Sequence, residues 1–106
     1  MQARYIHEGR AIDFLPEADT AAGTVVVLGS LIGITKTDII AGTIGAVHVV
    51  GVYDIEKVNV AVPLGNKIYW DAAAKKAVIN ATGNTLIGVA VSAAAADATT
   101  VRVRIG

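Results

Sequence analysis

Apolar and polar residues alternate at spacing two along much of this chain, and no apolar stripe of helical spacing persists for roughly ten residues. The alternation is cleanest in Thr100-Val101-Arg102-Val103-Arg104-Ile105, which puts Val101, Val103 and Ile105 on one strand face and both arginines on the other. Val58, Val60 and Val62 alternate with Asn59 and Ala61 in the same way. The pattern predicts further strands over residues 4–7, 10–14, 24–28, 31–35, 46–53, 67–70, 77–79 and 86–91. Between them stand Glu8-Gly9, Gly29-Ser30, Pro63-Leu64-Gly65-Asn66 and Thr82-Gly83-Asn84, which accept positive φ or pre-set a turn. The alanine-rich stretches 72–76 and 92–98 allow a single helical turn each. The expected fold is therefore all-β: one small barrel or sandwich of short strands over residues 1–106, with at most one or two helical turns. Residues 1–10 read equally well as an ordinary first strand and as an extended N-terminal arm.

Composition adds a bias towards burial. Of 106 residues 54 % are hydrophobic and 17 % charged, and the apolar set is dominated by 19 alanines, 15 valines and 12 isoleucines. Ordinary soluble domains carry roughly 25 % charged residues. A chain this small has too little interior for so much apolar surface, which points to burial against copies of itself or a partner. The uncharged runs do not fit a bilayer span: residues 77–96 are broken by Asn80, Thr82, Gly83, Asn84, Thr85 and Ser92. The first ten residues carry Arg4, Glu8 and Arg10 and lack the apolar run of a signal peptide, so a cytoplasmic origin is expected.

A formal net charge of zero removes the footprint of non-specific nucleic-acid binding. The balance is nonetheless uneven: residues 1–56 hold three basic and seven acidic side chains, residues 57–106 six basic and two acidic. Such asymmetry orients a domain on a partner, or simply describes a solvated surface.

Candidate chemistry is sparse. There is no cysteine, no Gly-x-Ser-x-Gly elbow and no phosphate loop, and His7 and His48 are the only bases that titrate near neutrality. His48 lies within an apolar strand, where a histidine is usually packed rather than catalytic. Asp54 and Glu56 share a strand face and offer two oxygens to a hard cation, but Lys57 adjoins them and no third ligand is near in sequence. Lys67-Ile68-Tyr69-Trp70 places Trp70 beside Ile68, as a core anchor rather than a base-stacking platform. No catalytic, cofactor or metal site is predicted.

The order of several segments carries more than any single residue. Tyr5-Ile6-His7-Glu8-Gly9, Gly23-Thr24-Val25-Val26, Gly33-Ile34, Asp38-Ile39-Ile40-Ala41-Gly42-Thr43-Ile44-Gly45, Gly51-Val52-Tyr53-Asp54-Ile55-Glu56-Lys57, Gly65-Asn66-Lys67-Ile68-Tyr69-Trp70-Asp71-Ala72 and Ile87-Gly88-Val89-Ala90-Val91 follow one another over nearly the whole chain. In that series the chain resembles the small capsid cement, or head decoration, proteins of tailed bacteriophages and prophages. The resemblance implies a non-enzymatic virion protein without cofactor. It would be assembled in the bacterial cytoplasm and bind the major capsid protein on the outer head surface as a homotrimer. It also implies an N-terminal segment that adds a strand to a capsid edge, with Arg4, Tyr5 and His7 as candidate contacts. Nucleic acid, membrane and small-molecule substrates are not expected partners. A tail or fibre module, or a small ligand- or nucleic-acid-binding β-barrel, are the alternatives.

Overall fold

A computed structural model describes residues 2–106 as two antiparallel sheets, with no helix among them. The first holds β1 (Ala11–Phe14), β2 (Val25–Leu28), β3 (Leu31–Thr35) and β4 (Gly45–His48) in the order β1-β4-β3-β2. The second holds β5 (Gly51–Glu56), β6 (Lys67–Asp71), β7 (Lys76–Val78), β8 (Thr85–Ala90) and β9 (Thr100–Ile105) in the order β5-β9-β8-β6-β7. Both sheets are open, so the expected all-β class holds while neither sheet closes into a barrel.

One apolar layer joins them. Ile32 and Ile34 of β3 pack with Ile55, Ile68, Trp70, Ile87 and Ala90 and with Val101, Val103 and Ile105 of β9. The inward residues of β9 are the alternate valines and isoleucine that the sequence pattern isolates, and each contributes about 1.5–3 kcal/mol by leaving water. Trp70 lies in this core beside Ile68, as its spacing predicts.

Three expectations need correction. The single strand expected over 46–53 is two strands in different sheets, β4 and β5. Gly51, at φ +131, takes a backbone conformation that side-chain-bearing residues avoid, and there the chain leaves one sheet and joins the other opposite Ile105. Residues 4–7 form no strand, since no described strand pairs with them. The alternating stretch 58–62 is no strand: it bends at Asn59 and Val60, Val60 N–H donating to the Val58 carbonyl at 2.8 Å, and only Val62 pairs, in an isolated bridge to Ala94.

The two alanine-rich stretches form no helix, but each holds one turn: Lys75 N–H donates to the Asp71 carbonyl four residues back at 2.7 Å, and Ala98 N–H to the Ala95 carbonyl three residues back at 3.1 Å. In the first, one carboxylate oxygen of Asp71 accepts from Ala73 N–H and Ala74 N–H, both at 3.1 Å, and Lys75 at φ +55 closes a tight β6–β7 connection. In the second, Ala94 pairs with Val62 through two backbone bonds of 2.8 and 2.9 Å.

The loops of the first sheet form a clasp with internal two-fold pseudo-symmetry. Asp19-Thr20-Ala21-Ala22-Gly23-Thr24 is matched nineteen residues on by Asp38-Ile39-Ile40-Ala41-Gly42-Thr43. Asp19 accepts from Ala41 N–H and Asp38 from Ala22 N–H, each at 2.8 Å. Thr20 and Ile39 exchange two backbone bonds of 2.8 Å at the centre. Gly23 and Gly42 have φ +79 and +80, and Thr24 and Thr43 each return a hydroxyl to the carbonyl three residues back, at 2.7 and 2.6 Å. Gly23 N–H donates to the Thr35 carbonyl and Gly42 N–H to that of Pro16, again nineteen residues apart.

Asp19→Ala and Asp38→Ala are each expected to lower the free energy of unfolding by about 1 kcal/mol. The double variant should depart from additivity by ~0.5 kcal/mol or more because both carboxylates brace the same loops, as urea denaturation would measure.

Candidate functional site

The N-terminal residues 2–8 are all exposed, with Tyr5 at 78 % and Ile6 at 72 % of their full accessibility. Arg4, Tyr5 and His7 thus lie together on an extended segment leading into β1 at the edge of the first sheet. Local bonds shape its base: the His7 Nδ1 accepts from Gly9 N–H at 2.8 Å, and Glu8 pairs with Arg10 at 3.0 Å. Tethering to the body begins at Arg10, whose carbonyl accepts from Val49 N–H at 2.9 Å.

The outer face of the second sheet carries the charges that alternation predicts. Asp54 stands directly opposite Arg102 in the β5–β9 ladder, and the guanidinium grips both carboxylate oxygens, Nε to Oδ1 at 3.0 Å and Nη2 to Oδ2 at 3.2 Å. These hydrogen bonds, with the attraction of the opposite charge, hold the Asp54 carboxyl below its ordinary range and raise Arg102. Asp54 and Glu56 share an exposed face as their spacing requires, but both Asp54 oxygens are occupied by Arg102. Among the described residues no three His, Cys, Asp or Glu side chains gather to hold a metal.

Lys57 does not adjoin those carboxylates in space. It follows Ile55 on the inner side of β5 and retains only 3 % of its accessibility. Its ammonium donates to the carbonyls of Val58, Val60 and Ala96 at 3.2, 3.0 and 3.3 Å, so its three N–H bonds each meet an acceptor. The 58–62 stretch turns rather than extends because its carbonyls converge on this cation. The sequence held one signal for it: a lysine at an inward position of an alternating strand, where a charge survives only if surrounded by acceptors.

The remaining candidates fit packing. His48 is half-buried in β4, opposite Ala11 and Ile34. Tyr53 faces a groove of about 690 Å³ between β2 and β5, lined also by Val25, Val27, Ile55 and Trp70, and burial pushes its phenol above the ordinary value. The chain's surface features are an exposed N-terminal segment, a charged sheet face and an apolar groove.

A family model described as phage cement protein matches residues 6–105. The chain belongs to the phage cement protein family. Membership makes it a phage structural protein with a capsid-binding role, a component of the virion. The match includes His7 and begins after Arg4 and Tyr5. No curated protein and no solved structure matches the chain.

Two outcomes test this cement protein's internal chemistry. Lys57→Met is expected to lower unfolding free energy by about 2–3 kcal/mol, because it strands acceptors that the ammonium satisfies, as chemical denaturation would measure. The folded Asp54 titrates below the ordinary 3.8, so its stabilisation is complete above that value and fades as the pH falls through the folded one. Asp54→Asn is expected to give a shallower decline of the urea midpoint between about pH 4 and pH 2.

Proposed function

We propose that this cement protein decorates the outer head shell as a homotrimer bound to the major capsid protein, and that it acts without catalysis or cofactor. Membership of the family and the exposed arm support this reading. Arg4, Tyr5 and His7 are the proposed capsid contacts. An extended segment with unpaired backbone groups can add a strand to an exposed sheet edge, and its alternate side chains then select the site. Binding to the assembled shell and not to free capsid subunits stabilises the assembled state by mass action. Three arms on one trimer multiply weak contacts, because once one arm is held the others bind at high effective concentration. The proposed location is the head surface, reached after assembly in the bacterial cytoplasm.

Removing residues 2–8 is expected to abolish binding to purified heads while leaving the thermal midpoint within a few degrees of the full chain. Co-sedimentation with heads and a melting curve read the two effects. Undiminished co-sedimentation of the truncated protein would overturn the arm's role. Quantitative mass spectrometry of purified particles is expected to find the protein in numbers close to those of the major capsid protein. A few copies per particle would assign it to a tail or vertex instead.

A further inference from the structure

The pseudo-two-fold clasp pairs each side chain of one half with a partner nineteen residues away, and one such comparison is unequal. Val25 stands opposite Ile34 across the β2–β3 ladder, and both pack against the second sheet. Their counterparts by the nineteen-residue spacing are Ile44 and Leu15, which lie one residue beyond the Phe14–Gly45 pair that ends the β1–β4 ladder. Ile34 is 5 % exposed, whereas Leu15 is 60 % and Ile44 71 % exposed. One chain thus carries two pairs of apolar positions related by the nineteen-residue spacing, and its own five-stranded sheet covers only Val25 and Ile34.

The covering surface is known: it includes the inner side chains of β5 and β6. Beside that surface a groove of about 690 Å³ opens between β2 and β5, walled by the half-buried Tyr53 and the exposed Val27 over the buried Ile55 and Trp70. The bare pair and the partly filled groove are complementary in kind.

We infer that the Leu15–Ile44 face of one copy seats in the β2–β5 groove of the next copy. The two surfaces differ, so the contact is head-to-tail and closes into a ring when its rotation permits. The inference rests on the self-association in the reading above and names its surfaces; it does not require that the capsid be the ligand.

Sedimentation equilibrium of the full chain tests it. The wild type is expected at a mass of two or more times 10.8 kDa, and Ile44→Lys and Val27→Lys at 10.8 kDa each, with unchanged circular dichroism. Leu15→Lys replaces Ile44→Lys if the latter misfolds. Each of the two variants keeps the surface the other has lost, so mixing them is expected to restore one contact and double the mass. A monomeric wild type, or either variant at wild-type mass, would overturn the inference. Co-sedimentation with heads separates this from decoration. An Ile44→Lys variant of unchanged mass that no longer binds heads would assign the face to the shell and also overturn it. A monomeric variant that still binds heads supports the inference, with the arm alone holding the shell.

Discussion

The inward row of β9, Val101, Val103 and Ile105, is the contact on which both sheets depend. It lies between β5 and β8 and meets Ile32 and Ile34 of β3 in the shared core. Without that layer the first sheet would be four short strands whose ladders are too brief to persist in water. β3 shows how tightly the arrangement is drawn, since it is buried on both faces: Ile32 and Ile34 towards the second sheet, Thr35 towards the clasp. The Thr35 hydroxyl accepts from Thr24 N–H and donates to the Ala21 carbonyl, which lets a polar side chain occupy that position.

Strands that bury one face were legible in the sequence because pleating forces a two-residue period on them, as in β9 and in Ile68 and Trp70 of β6. The strand expected over 46–53 failed for a different reason. Hydrophobic continuity does not record which sheet a residue joins, and Gly51 was the one mark of the crossing. The stretch 58–62 misled because alternation describes side chains, whereas its path is set by carbonyls turned towards the Lys57 ammonium. The clasp was readable in principle: Asp-x-x-Ala-Gly-Thr occurs twice, but its two halves lie closer together than the repeats of solenoid folds. The exposure of Arg4, Tyr5 and His7 was not legible, because it follows from there being no strand among the described residues that pairs with them, a property of the whole fold.

The chain's functional character follows from where its polar groups are spent. Asp54 is held by Arg102, Asp19 and Asp38 hold backbone amides, and Lys57 holds backbone carbonyls. Such groups fix shape. Apolar side chains remain uncovered at Tyr5, Ile6, Leu15, Ile40 and Ile44. A protein of the phage cement family, whose work is to hold other subunits, needs that distribution: internal polarity committed to rigidity and external apolar surface left for contact.

The Lys57 ammonium also gives the domain a built-in reporter. Acylating reagents reach amines from solvent, so Lys36, Lys67, Lys75 and Lys76, all exposed, react in the closed molecule while Lys57 waits for the β5 end to open. Its labelling rate therefore counts opening events, and comparing free protein with protein on the shell would express the mechanical gain from attachment as a ratio of two chemical rates at one atom.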